Sequence, residues 1–358
     1  MEGFGWYTYE VVKRLVENHP EHEFIFFFDR PYDEKFIFGK NVTPVVLRPP
    51  ARHPILFVLW FEFAVYRALK KYKADLFFSP DGYLSLRSSL PQIGVIHDIN
   101  FHHFPKDIPL IPRLYLRYFF PKFAKKAKKI ITVSETSKKD IASSYGISSD
   151  NIEAIWNGVS KSFSPLKEDE KLMVRKRYST GKPYFLFVGA IHPRKNIKRL
   201  LEAYQIYRTN HEDFDLVIVG EKMWSNLELD IADSIKNTIH FTGHLKIEEL
   251  ARVMASATVF TFVPYFEGFG LPLVEAMKSD TPILAGNLSC LPEVAGNAAL
   301  YCNPLDVQDI AHKMIEISQN KHLREDLIQK GKERSQLFSW DITADKVWRV
   351  IEASLKNN

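Results

Sequence analysis

A chain in which short apolar strands alternate with amphipathic helices, twice over, has few folds open to it. This 358-residue chain does so on both sides of a polar, proline-bearing stretch at Ser160 to Glu170. Before that stretch, Phe24 to Phe28, Val42 to Leu47, Asp75 to Phe78, Ile93 to Asp98, Ile130 to Ser134 and Ile152 to Trp156 read as strands, with a helix expected over Ile55 to Lys71. After it come strands at Tyr184 to Val188, Leu216 to Val219, Ile239 to Thr242, Val259 to Val263 and Thr281 to Ala285. Helices are expected at Asn196 to Tyr207, Leu250 to Ser256, from Asp306 onward, and at Trp340 to Leu355. Parallel-sheet strands buried on both faces read as near-continuous apolar runs, and βαβ alternation covers them with helices. The expectation is two α/β domains, residues 1–160 and 161–339, facing each other across a cleft, with the 340–358 helix packing back on the first.

The most informative stretch is Phe260-Thr-Phe-Val-Pro-Tyr-Phe-Glu-Gly-Phe-Gly-Leu-Pro-Leu-Val-Glu-Ala-Met277. A buried strand runs into a turn with Gly268 and Gly270, and Pro272 suits the first turn of a helix, where its missing N–H costs nothing. Free amides and the positive end of a helix make an anion site. Two acids, Glu267 and Glu275, invite a glycosidase reading. On one helix eight residues would separate them by ~12 Å, whereas paired hydrolase carboxylates sit roughly 5–9.5 Å apart. Different duties fit better: Glu275 accepting hydrogen bonds from a ribose diol, Glu267 facing a sugar.

A second loop, Gly189-Ala-Ile-His-Pro-Arg-Lys-Asn196, puts Arg194 and Lys195 at a helix start. Cations there oppose the helix dipole, so their presence implies an anion such as a diphosphate. In the first half, His97 and Asp98 end a buried strand, where open α/β sheets hold ligands and where such a pair could bind hydroxyls or move a proton. His102 and His103 follow, without the spacing of a helix-borne metal pair. Asp213-Phe-Asp215 precedes its strand and reads as a turn. Arg113 to Lys129 interleaves aromatics with cations and carries no acid. It suits either an anionic surface, whether a membrane leaflet or a phosphorylated acceptor, or an ordinary solvated helix; no nucleic-acid module surrounds it.

The amino-terminal residues form a glycine-bearing turn at Gly3 and Gly5 running into a helix. In a doubly wound domain such a turn follows the first, central strand. No strand precedes it here, so the first domain is expected to lack that strand, the recorded start lying downstream of the true one. Cys290 and Cys302 match no metal or redox spacing and suit a reducing compartment. With no signal peptide evident and no apolar run long enough to span a bilayer, a cytoplasmic protein is expected.

Gly189 to Asn196, Glu267 and Glu275 with Gly268-Phe-Gly-Leu271 between them, and Leu291-Pro-Glu-Val-Ala-Gly296 together resemble the retaining glycosyltransferases of family GT4. His97-Asp98, Val133-Ser134 and Asn157-Gly158 resemble the same family's amino-terminal landmarks. The resemblance implies the GT-B fold, two Rossmann-like domains, and transfer of a sugar from a nucleotide-diphosphate sugar to an acceptor hydroxyl with retention of configuration. It assigns the ribose to Glu275 and the diphosphate to Arg194 and Lys195. Glu267, with the amides of Phe269, Gly270 and Leu271, would hold the donor sugar and distal phosphate. His97 would approach that sugar, and Gly3 and Gly5 would serve the saccharide or lipid-linked acceptor. It implies no cofactor and no metal. The basic residue often found after the first glycine of the diphosphate loop is Ala190 here, placing more weight on Lys195. The alternatives are a sugar-nucleotide epimerase and an inactive membrane-docked partner in polysaccharide assembly.

Overall fold

The computed structural model describes residues 3–221 and 231–356. The chain divides into two units, Met1–Gly158 with Ser339–Asn358, and Val159–Phe338.

The first unit contains helices α1 (Gly3–Asn18), α2 (Pro54–Leu59), α3 (Tyr66–Lys71), α4 (Asn100–His103), α5 (Leu110–Lys126) and α6 (Glu135–Tyr145). Its strands are β1 (Phe24–Phe28), β2 (Val42–Val46), β3 (Phe77–Ser79), β4 (Gln92–Val95), β5 (Lys129–Thr132) and β6 (Ile152–Ala154). They form two separate parallel sheets, β1-β2 and β3-β4-β5-β6. Successive residues of a strand face opposite sides, and β3 obeys this: Phe78 packs with the cluster around α1, Phe77 with the cluster around Trp60 and Phe61. α6 starts where Ser134 Oγ accepts the Ser137 amide at 3.0 Å and stops at Gly146 in the left-handed region.

The second unit contains α7 (Glu168–Tyr178), α8 (Ile197–Arg208), α9 (Ile247–Ser256), α10 (Leu271–Lys278), α11 (Leu291–Ala295), α12 (Val307–Gln319) and α13 (Lys321–Ser335). Its strands are β7 (Tyr184–Val188), β8 (Asp215–Val219), β9 (Ile239–Gly243), β10 (Val259–Phe262), β11 (Ile283–Gly286) and β12 (Leu300–Cys302). They make one sheet ordered β12-β11-β10-β7-β8-β9, all parallel. Every residue of β7 and β8 is buried, which is why they read as unbroken apolar runs. The last helix, α14 (Trp340–Lys356), returns to the first unit, where Trp340, Val347 and Ile351 pack with Tyr7, Val11 and Ile93. Gly158 permits this return: a Cβ there would lie 2.1 Å from Trp340 N. No helix among the described residues is long and apolar enough to cross a membrane.

Several local expectations need correction. Gly3 and Gly5 lie within α1 rather than in a turn before it; residues 1 and 2 fall outside the described residues. The helix expected over 55–71 contains a π-helical segment, Trp60–Val65, between α2 and α3. That wider turn, the rarer i→i+5 pattern, accompanies a bond of Glu62 to the amides of Leu86 and Arg87 at 2.7 and 2.8 Å. The polar stretch ends early because Glu170 caps the Lys167 amide at 3.3 Å, with acids in the first turn of α7 and cations in its last. Asp215 is not a turn residue. It opens β8, is buried, and accepts from His240 Nε2 at 2.7 Å.

Candidate functional site

The order of the second sheet fixes where a ligand can sit. β7 and β10 are neighbours, yet the chain leaves β7 towards β8 and leaves β10 towards β11, on the opposite side. The two loops diverge and leave a crevice at the carboxyl ends of the strands. Those loops, 189–196 and 263–270, carry the residues singled out above.

Side chains and main chain tie the loops together. Asn196 adopts a left-handed conformation, φ 60°, and its buried Nδ2 donates to Val263 O at 2.9 Å and Pro304 O at 2.6 Å. The Tyr265 amide donates to Arg194 O at 3.2 Å. Arg194 Nη1 donates to Phe266 O at 2.8 Å and Glu267 Oε1 at 2.7 Å, and Lys195 Nζ approaches the same Oε1 at 2.6 Å. Arg194 and Lys195 belong to a 3-10 turn, Pro193–Lys195, one residue before Asn196 and α8, with His192 Nδ1 accepting the Arg194 amide. They therefore precede the helix rather than open it. The Lys195 ammonium also lies 5.0 Å from the centre of the Phe262 ring. Gly189 adopts φ 149°, a conformation that residues with side chains rarely take, while a Cβ there would make only ordinary contact with Lys195 Cε at 3.5 Å.

Burial alone would push the Glu267 carboxyl up, but Arg194 and Lys195 outweigh it and hold the group below its ordinary value. A third loop supports the same residue. Ser289 Oγ donates to Glu267 O at 2.6 Å and accepts the Glu267 amide at 3.2 Å, while Cys290 Sγ approaches Glu267 O at 3.2 Å. Ser289 and Asn196 were missed as site-building residues. The available signals were the glycine-poor loop 287–290 before a Leu-Pro helix start, and an asparagine placed where a left-handed residue suits a cap.

Gly270, at φ 81°, is the residue from which α10 starts, and as a glycine it offers no side chain of its own to cap that end. A Cβ on Gly270 would lie 2.9 Å from Leu291 Cδ2. Gly268 and Phe269 are buried; the Phe269 ring meets Phe338 edge-on at 5.9 Å, so it belongs to the core and only its main chain can serve a ligand. Leu271 and Glu275 are half-buried. Among the described residues no donor or cation pairs with the Glu275 carboxyl, and burial raises it to about 8. An acid on a helix whose amino end follows the loop held by Arg194 suits a ligand bearing both phosphates and hydroxyls.

The remaining residues lie in the first unit. His97 Nε2 contacts Pro80 O at 3.0 Å, and its ring packs against Phe4 and Tyr7 with centroids 4.6 and 4.7 Å away. Burial pushes its pKa down to about 4, only partly offset by the Pro80 carbonyl, so the ring is neutral at ordinary pH. Asp98 accepts the Asn100 amide at 3.0 Å. Phe4 lies between Gly3 and Gly5, so the start of α1 and the end of β4 do come together.

Comparison with known proteins agrees with this layout. The model of Glycosyltransferase Family 4 matches residues 1–163, and that of glycosyl transferases group 1 matches residues 168–334. O-antigen chain mannosyltransferase B of Escherichia coli is 28% identical over 356 residues, spanning 95% of this chain and 93% of its own. Sucrose-phosphate synthase of Thermosynechococcus elongatus superposes with a TM-score of 0.78 at 18% identity, covering 100% of this chain and 94% of its own. Anabaena HepE in complex with UDP-glucose gives 0.76 at 15% identity, covering 99% and 96%. With both halves matched and the fold shared along its length, the chain belongs to the family 4 glycosyltransferases and has the GT-B fold.

Proposed function

We propose that the chain moves a hexose from a nucleotide-diphosphate sugar to an acceptor hydroxyl with retention of configuration, in the assembly of a cell-surface polysaccharide. The observation that carries this is the sharing of Glu267 by Arg194 and Lys195 in the loops that lead to the start of α10. As the sugar leaves, its C1–O bond to the diphosphate breaks and negative charge gathers on the phosphate. Two fixed cations and a helix amino end stabilise that charge by preorganised electrostatics, so the reaction as proposed needs no divalent metal. The acceptor oxygen bonds to C1 on the face that the phosphate leaves, and its proton passes to the departing phosphate. Glu275 takes the ribose hydroxyls. The Escherichia coli relative is named as an O-antigen mannosyltransferase, which supports mannose as the sugar and an O-antigen-type glycan as the acceptor.

The acceptor side is proposed to work at an anionic membrane, as a peripheral cytoplasmic protein. α5 turns Leu110, Ile111, Leu114 and Tyr118 to solvent, followed by Lys122 and Lys125. The adjacent stretch α2 to α3 repeats the arrangement with Ile55, Leu59 and Phe63 followed by Arg67 and Lys70. Phe57 and Tyr115 join the two, their rings 5.7 Å apart. Two neighbouring helical stretches with apolar stripes and cationic ends suit anionic lipid.

Calorimetry against UDP, GDP, ADP and their sugar conjugates, followed by the anomeric proton coupling of the product, tests the reading. Binding of one nucleoside diphosphate, lost in Lys195→Ala and Glu275→Ala, and a product with the donor's anomeric configuration are expected. Turnover of the donor without acceptor would identify an epimerase instead. No binding of any nucleotide would overturn the assignment.

A further inference from the structure

Two routes lead from Arg334, on α13, to the loop that carries Glu267. On the first, its Nε donates to Val294 O at 3.0 Å and its Nη2 to Glu293 O at 2.6 Å. Both acceptors belong to the last turn of α11, where carbonyls have no partner within the helix. At the other end of α11, Leu291 is so close to Gly270 that a Cβ on the glycine would lie 2.9 Å from Leu291 Cδ2. The two residues before it, Ser289 and Cys290, both reach Glu267 O. On the second route, the Arg334 guanidinium lies 5.9 Å from the centre of the Phe338 ring, which meets Phe269 edge-on. Both routes end within residues 267–270.

α11 has five residues. A helix that short does not hold itself in water, so its place is set from its two ends. Arg334 grips one end, and Ser289 joins the other to Glu267. Ser289 sits at φ 58°, in the left-handed region that a residue with a Cβ adopts only at a cost. Such strain persists where surrounding contacts over-determine it. Here a single hydroxyl donates to Glu267 O at 2.6 Å and accepts the Glu267 amide at 3.2 Å. Amide and carbonyl flank the Cα, so holding both fixes the direction in which the side chain departs. That side chain has to bring one oxygen to Arg194 Nη1 at 2.7 Å and to Lys195 Nζ at 2.6 Å together.

We infer that Ser289 and Arg334 are positioning residues of the transfer reaction. α11 is a strut, anchored by Arg334, that carries Ser289 against the main chain of Glu267 and so sets the carboxylate between its two cations. The catalytic consequence rests on the sugar transfer proposed above; the strut itself does not.

Ser289→Gly and Ser289→Ala both remove the hydroxyl, but only glycine relieves the left-handed backbone. Turnover of GDP-mannose with decyl mannoside as acceptor is expected to lose at least about tenfold in kcat in both variants, with KM for the donor little changed. The unfolding temperature should stay at the wild-type value for glycine, where relief of strain offsets the lost hydrogen bonds, and drop by about 2–4 °C for alanine. A purely structural serine would make kcat follow the unfolding temperature, so wild-type kcat in Ser289→Gly overturns the inference. Arg334→Lys keeps the charge but loses the planar fork that spans two carbonyls. It should speed exchange of the Glu267 amide, at the opposite end of the strut, at least about tenfold and leave β7 and β8 unchanged. Unaltered exchange at Glu267 overturns the strut. A wild type that turns over no GDP-mannose counts against the transferase reading alone, and Glu267 exchange in Arg334→Lys and Ser289→Gly then decides the inference.

Discussion

Lys195 Nζ lies 2.6 Å from Glu267 Oε1, an oxygen already held by Arg194. The three groups form a cation–anion–cation bridge at the point where two loops part. One carboxylate cannot neutralise two cations, so the cluster keeps a net positive charge and a fixed geometry. A diphosphate arriving there meets cations whose rotamers are already chosen, which lowers the reorganisation cost of binding and of charge transfer to the leaving group.

Lys195→Ala is expected to lower kcat/KM at least ~100-fold while circular dichroism and the unfolding temperature stay close to wild type. Glu267→Ala acts differently. It leaves two half-buried cations without their shared counter-ion and should lower stability by about 3 kcal/mol in urea titration, with Glu267→Gln restoring part of it.

Glu275 gives a pH signature. Its folded pKa, about 8, stands above the ordinary 4.5, so the native state keeps a proton that the unfolded chain has lost. Stability should therefore fall as pH rises from about 4.5 to about 8, and Glu275→Gln should flatten that slope. Ribose hydroxyls donate to the ionised form, so nucleotide binding near pH 7 should release a proton, detectable as a buffer-dependent enthalpy. Equal enthalpies in all buffers would contradict the ribose assignment.

His97 runs the other way. With a folded pKa of about 4 against an ordinary 6.5, the unfolded chain binds the proton first. The contribution is intact above pH 6.5 and is lost as pH falls towards 4, at most roughly 3 kcal/mol by linkage. Acid unfolding of wild type and His97→Gln, followed by tryptophan fluorescence, should converge only above pH 6.5.

Gly158→Ala is expected to cost about 3 kcal/mol or more, because its Cβ would stand 2.1 Å from Trp340 N, a backbone atom that cannot turn aside. The damage should appear in the exchange of α1 and α14 amides and spare β7 and β8.

Leu114→Asp with Tyr118→Asp should abolish flotation with vesicles rich in phosphatidylglycerol and leave turnover of a water-soluble acceptor unchanged. Retained flotation would assign the exposed stripe on α5 to ordinary solvated surface.

The strands of the second unit were legible because each is a local run: Tyr184–Val188 is buried at every position and says so in composition. Arg194, Lys195 and Glu267 stood out for a similar reason, since each sits at a fixed offset from a strand end or a glycine turn. The pairing of Arg194 and Lys195 with Glu267 was not legible. It follows from β7 lying beside β10, residues more than seventy positions apart, which local periodicity does not encode. The supports of Glu267 by Ser289 and of the loops by Asn196 were hidden for the same reason. The π-helical segment at Trp60–Val65 escaped notice because a one-residue widening leaves the apolar pattern almost intact. Asp215 was misread because its partner, His240, is on a neighbouring strand.

The return of α14 to the first unit sets an order of synthesis. Residues 159–338 form a continuous span and can complete their core while still tethered to the ribosome. The first unit, begun earlier, must wait for Trp340, Val347 and Ile351 to emerge before the layer around Tyr7 and Val11 can close. The half of the protein made first is finished last, and a chain released a few turns short of its end would carry a mature carboxyl-terminal unit beside an unfinished partner.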